Sequence, residues 1–129
     1  MTMELRMLAW ATALGLVHIL VAAALATGQR GLRWNVGNRD GEPVPLAGAA
    51  ARAARASANF LETFPLFAVA VLAVVAARRS GADTALGAQL YLWARVAYLP
   101  VYAAGIPYLR SAVWGVSMVG LLLVLSALF

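Results

Sequence analysis

Apolar residues fall into four blocks along the chain, separated by three breaks rich in arginine or turn formers. The first block runs from about Leu5 to Thr27 and gives way at Gly28. The second is apolar from Phe60 to Ala77, and a helical pattern reaches back from it to about Leu46. The third runs from about Ala85 to Ala104 and the fourth from Ser111 to Phe129. Each is close to the ~20 residues that ~30 Å of hydrocarbon requires of a helix. The pattern predicts helices over about 5–27, 46–78, 84–104 and 110–129 in a single domain, 1–129, with one substantial loop over 28–45. That loop holds Asn35, Gly37, Asn38, Asp40, Gly41, Pro43 and Pro45, turn formers without periodicity. The second helix is long enough for its first three turns to project beyond the bilayer on the loop side. The other breaks, Arg78-Arg79-Ser80-Gly81 and Gly105-Ile106-Pro107, are short, so sequential helices should pack as antiparallel neighbours. The expected fold is all-α and integral to the membrane, a bundle of four transmembrane helices. Ala24-Leu25-Ala26 resembles a signal-peptide cleavage site, but the apolar run before it is longer than a normal h-region, and a retained span is expected.

Composition agrees with a bilayer as solvent. Of 129 residues, 64% are hydrophobic and 12% charged, against about 25% charged in soluble domains. Mean hydropathy is +0.83. The net charge of +5 comes from ten basic residues, every one of them arginine. In a soluble chain such basicity would suggest nucleic acid; in one this apolar it points to membrane topology and anion binding instead, and no nucleic-acid partner is expected. Arg30, Arg33, Arg39, Arg52, Arg55 and Arg110 share the face of the first loop, while Arg6, Arg78 and Arg79 lie opposite. The excess places the first loop in the cytoplasm and both termini outside, although Arg78-Arg79 opposes that orientation. The Arg- and Ala-rich composition fits a GC-rich bacterial genome, hence a bacterial inner membrane. Without cysteine there is no disulfide or thiolate site, and with His18 as sole histidine no metal site is expected; His18 reads as a packed polar residue.

Polar residues then appear where a membrane helix should have none. Arg52, Arg55, Asn59 and Glu62, spaced three, four and three, form one narrow stripe on the second helix. Arg95, Tyr98 and Tyr102 form another on the third. Intramembrane charge costs several kcal/mol on most scales, on the order of 3 at a helix centre, so these groups should face protein. A structural Glu62–Arg95 ion pair would account for one acid and one base. The surplus of cations, with Asn59 and two tyrosines, suggests instead a pocket for a small polyanion near the cytoplasmic boundary. Arg110 and Ser111 open the fourth helix on the same side, as a snorkelling arginine beside an N-cap serine or as an anion holder at the pocket mouth. The four tryptophans, Trp10, Trp34, Trp93 and Trp114, read as interface-belt residues. Phe60, Phe64 and Phe67 read as packing, and Pro65 and Pro100 as helix kinks.

The run Arg52-Ala-Ala-Arg55-Ala-Ser-Ala-Asn59-Phe-Leu-Glu62-Thr-Phe-Pro65-Leu-Phe67 resembles the second-helix signature of MAPEG proteins, the membrane-associated proteins in eicosanoid and glutathione metabolism. Thr27-Gly28-Gln29 with Arg33, Ala94-Arg95-Val96-Ala97 with Tyr98 and Tyr102, and Arg110-Ser111 extend the likeness over most of the chain. The resemblance implies a homotrimer with glutathione bound between subunits near the cytoplasmic face. It implies that Arg55, Asn59, Glu62, Arg95, Tyr98 and Tyr102 hold the tripeptide, with Arg52 on the same stripe and Arg33 reaching in from the adjacent subunit. Arg110, beside Ser111, matches the arginine that stabilises the glutathione thiolate in eicosanoid-forming members. Ser57 and Ala58 stand where some prostaglandin-synthase relatives carry His and Arg, Trp114 stands where they carry tyrosine, and the Tyr102–Arg110 connection is one residue shorter. Eicosanoid specificity is therefore not implied. The expected activity is that of a glutathione-dependent membrane transferase or peroxidase acting on a lipophilic substrate that enters from the lipid. The alternative is a non-enzymatic lipid-binding or scaffolding subunit; a transporter is disfavoured because the polar stripe stops near one face.

Overall fold

A computed structural model describes every residue from Met1 to Phe129. It contains helices only: α1 (Met3–Arg30), α2 (Leu32–Val36), α3 (Gly48–Ala76), α4 (Ala82–Ala104) and α5 (Pro107–Ser126). Thr2 caps α1, its hydroxyl accepting the Leu5 N–H at 3.2 Å. The helix runs through Gly28 and past the expected end at Thr27, stopping at Gly31, whose φ of +92° a side chain would resist. The short α2 then interrupts a loop expected to lack regular structure. Just before α3 the chain is tied back to α1 by a two-way bridge: the Gln29 side chain donates to the Ala47 carbonyl at 2.9 Å and accepts the Ala47 N–H at 3.0 Å. α4 starts where Thr84 accepts the Gly81 N–H, and it ends at Gly105 in the left-handed conformation. α5 starts at Pro107, whose missing N–H is harmless at a first helical position.

Three helices, α1, α3 and α5, are long and apolar enough to cross a membrane. The fourth helix expected to span, α4, has the length, at 23 residues, but falls short of the other three in apolarity. Gln89, Tyr91, Arg95, Tyr98 and Tyr102 dilute its apolar character. Neighbouring helices cover most of these groups, for Tyr91, Arg95, Tyr98 and Tyr102 are all buried.

α4 packs most extensively on α5, and α1 on α3. Gly87 and Gly120 permit the α4–α5 approach: a Cβ on Gly87 would meet the Gly120 carbonyl at 2.6 Å, and one on Gly120 the Gly87 carbonyl at 2.5 Å. Met7, Phe60, Phe67, Val71, Tyr91, Leu121 and Val124 belong to the main core cluster. Tyr91 stacks on Phe67 at 4.0 Å and shares a 2.9 Å hydrogen bond with Thr63, so its hydroxyl is satisfied inside the core. His18 is buried against Phe60, ring centroids 5.0 Å apart. Glu4 is buried too and accepts a hydrogen bond from Thr84 near the start of α4, where the helix dipole favours a carboxylate.

Candidate functional site

At the other end of the bundle Ala56, Tyr98 and Tyr102 form a second, smaller buried cluster. A cavity of about 460 Å³ opens beside it, within the ~300–1,000 Å³ typical of small-molecule sites. Helical spacing places each contributor: Arg55, Asn59 and Glu62 face it from α3, Tyr98 and Tyr102 from α4, and Arg110, Ser111 and Trp114 from α5. Two guanidinium groups converge on Tyr102. Arg55 Nε donates to its hydroxyl at 3.0 Å, and Arg110 lies over its ring, 5.0 Å from the centroid. Both cations are thereby held inward, with donors left over for an anion.

Arg95, expected to touch the ligand, does not line the cavity but lies behind its wall. The side chain is 0% exposed, and Nη1 donates to Asn59 Oδ1 at 2.9 Å. Its guanidinium sits 4.2 Å from the Tyr98 centroid and 5.4 Å from that of Phe60, while Nε and Nη2 have no hydrogen-bond partner. The Glu62–Arg95 ion pair considered from sequence is replaced by this Arg95–Asn59 bond. Arginine can only donate, so Asn59 turns its oxygen towards Arg95, and the NH₂ group of this cavity-lining residue is left as a free donor.

Arg52 leaves the stripe altogether. Its Nε donates at 3.1 Å to the Ala103 carbonyl, one of the unpaired acceptors ending α4, and the side chain lines a different, apolar cleft of about 240 Å³. Arg33 lies on α2 and does not line the cavity. Ser111 is not an N-cap: α5 begins four residues earlier, and the Ser111 hydroxyl bonds weakly back to Pro107 O at 3.4 Å. Two wall residues were missed. Trp114, assigned to the interface belt, follows Arg110 by four positions, and that spacing places both on one face of α5. Ala58 contributes room rather than a functional group.

The cavity balances two cations against one carboxylate and adds amide and phenol groups, an inventory suited to a small ligand with more negative than positive charge. Arg55, Glu62, Ser111 and Trp114 remain exposed, so one side is open. A family model described as the MAPEG family matches residues 7–129, nearly the whole chain. The chain belongs to the MAPEG family. No curated protein and no solved structure matches it. MAPEG membership makes it a membrane protein of a family that includes glutathione transferases and related membrane proteins. Of the residues that carry the likeness, Arg55, Asn59 and Glu62 on α3, Tyr98 and Tyr102 on α4, and Arg110 and Ser111 on α5 line the cavity, whereas Arg52 and the buried Arg95 do not.

Proposed function

We propose that this MAPEG protein is a glutathione-dependent transferase or peroxidase for a lipophilic substrate. The observation that carries the reading is the convergence of Arg55, Asn59, Glu62, Tyr98, Tyr102 and Arg110 from three helices at or around one cavity. Glutathione carries two carboxylates and one ammonium. Arg55 and the free amide of Asn59 suit a carboxylate, and Glu62 suits the ammonium. Arg110 is the thiolate partner in this reading. A fixed cation beside a thiol favours its ionised, nucleophilic form, and Ser111 stands next to it. The thiolate sulfur then attacks an electrophilic carbon of the substrate, forming a C–S bond as the leaving group departs or as a proton adds.

The same reading takes α4 as a fourth span, covered by its neighbours. It takes the assembly as a homotrimer in which a neighbouring subunit closes the open side of the cavity, bringing its own Arg33. The cavity end would face the cytoplasm, in a bacterial inner membrane, as the distribution of arginines favours. The test is thiolate formation. Adding glutathione to the purified protein should raise absorbance in the thiolate band, and Arg110→Ala should abolish that rise. Saturable glutathione binding with no thiolate signal would sink the catalytic reading in favour of a binding or scaffolding subunit. Absence of any binding would remove glutathione itself.

A further inference from the structure

A second basic cavity, of about 340 Å³, lies where the first loop folds back on the end of α1. Thr27, Arg30, Trp34, Asn35 and Arg39 line it, with Ala23 at its inner end. It shares no residue with the candidate glutathione site. The loop is fastened there by side chains. Asn35 donates to Thr27 Oγ1 at 2.9 Å, Arg30 Nε donates to the Val44 carbonyl at 2.8 Å, and Arg39 Nη2 donates to Asn35 Oδ1 at 2.6 Å. Arg39 holds a left-handed backbone, φ 58°, unusual for a residue with a Cβ.

These bonds leave the terminal nitrogens of Arg30 and Nη1 of Arg39 without protein acceptors. The loop's own acids, Asp40 and Glu42, do not line the cavity, whose charged lining is Arg30 and Arg39 alone. Continuing inward along α1, Leu16, Ile19 and Leu20 precede Ala23 by seven, four and three residues and so occupy the same face. All three are exposed. A cationic cradle beside a tryptophan, leading onto an exposed aliphatic track in a membrane helix, has the order of parts of a phospholipid.

We propose that this cavity is a binding site for one anionic phospholipid, its phosphate held between Arg30 and Arg39 and one acyl chain lying along Leu16, Ile19 and Leu20. A free phosphate would share the arginines but make no use of the aliphatic track.

Native mass spectrometry of the detergent-solubilised full-length protein, titrated with dioleoyl-phosphatidylglycerol or dioleoyl-phosphatidylcholine, tests the site. One phosphatidylglycerol per chain should be retained in preference to phosphatidylcholine. With about a fivefold contribution from each arginine, R30Q/R39Q should weaken its retention about 25-fold. R6Q/R78Q, at the opposite end of the bundle, should not change it. Equal retention of the two lipids, or undiminished retention by R30Q/R39Q, overturns the proposal. Inorganic phosphate that displaces the lipid at equal concentration also overturns it, because the acyl chain would then contribute nothing. If R30Q/R39Q does not fold, acyl-brominated lipids decide the matter in the wild type. Brominated phosphatidylglycerol should quench tryptophan fluorescence more than brominated phosphatidylcholine, and the excess should vanish in Trp34→Phe. Equal quenching by the two lipids refutes the site.

Discussion

The two halves of α4 meet their neighbours in opposite ways. In the first half Gly87 lets the backbone of α4 touch that of α5 at Gly120, and Tyr91 is buried nearby with its hydroxyl satisfied. In the second half Tyr98 and Tyr102 stand where the first half has glycine, and the helices line an open cavity with charged walls. The first half gains dispersion and close packing, which hold helices together in lipid where the hydrophobic effect between them is weak. The second half gives up such packing, and its polar groups are incompletely satisfied. Close packing and the candidate site are thus divided along one helix, and α5, held at the closed end, carries the Arg110 that lies over Tyr102.

The contrast between the halves breaks most severely at the glycine crossing. Gly120→Val would push a Cβ to within 2.5 Å of the Gly87 carbonyl and 2.6 Å of the Tyr91 nitrogen, both of them backbone atoms that cannot swing away. Overpacking of this kind should cost about 3 kcal/mol. The readout is the denaturation midpoint in detergent. Gly115→Ala, on the same helix with nothing within 4 Å of the new Cβ, should cause no loss. Equal behaviour of the two variants would mean that the crossing does not constrain the fold.

At the open end Asn59→Ala should have a smaller effect on stability. It removes the one hydrogen-bond acceptor of a guanidinium that is 0% exposed, stranding a buried cation. A loss of about 2 kcal/mol is expected, along with weaker glutathione binding. Unchanged stability by denaturation would show that water or another group satisfies Arg95 and that Asn59 is not its support.

The all-helical architecture was legible because apolar blocks of membrane length alternate with turn formers, and hydropathy is a sum that needs no knowledge of neighbours. The stripes Arg55-Asn59-Glu62 and Tyr98-Tyr102 were legible for a related reason: helical spacing fixes which residues share a face. Depth was not legible. Arg52 and Arg55 stand three residues apart on that face, yet Arg55 turns to a tyrosine hydroxyl and Arg52 to a helix-end carbonyl. That choice depends on where α4 stops, at Gly105, which the pattern along α3 does not encode. The position of Arg95 behind the cavity wall was not legible, because spacing on a single helix cannot say that Asn59 lies beside it at the cavity. The polar content of α4, which keeps it below the apolarity of the other three long helices, is the cost of carrying the site.

The smallest expected change in stability comes from the substitution that looks most drastic. Arg95→Met deletes the most deeply buried charge in the chain, but that charge has one hydrogen bond and two unpartnered nitrogens. Replacing a buried, poorly compensated ion by an apolar side chain of similar length is often neutral or stabilising by about 1–4 kcal/mol. The denaturation midpoint should therefore stay level or rise, in contrast to Asn59→Ala. Glutathione affinity should move the other way. Without Arg95 the Asn59 oxygen has no donor, the amide is free to turn over, and the NH₂ group is no longer held towards the cavity. A loss of about tenfold, or ~1.4 kcal/mol, is the expected size for one charged hydrogen bond that orients a ligand contact. Adding Asn59→Ala to Arg95→Met should then cost little further affinity, since both act through the same amide. Calorimetric titration of the two single variants and the double variant measures that coupling. Additive losses would mean that Arg95 and Asn59 reach the ligand independently and that the two-layer arrangement has no part in binding.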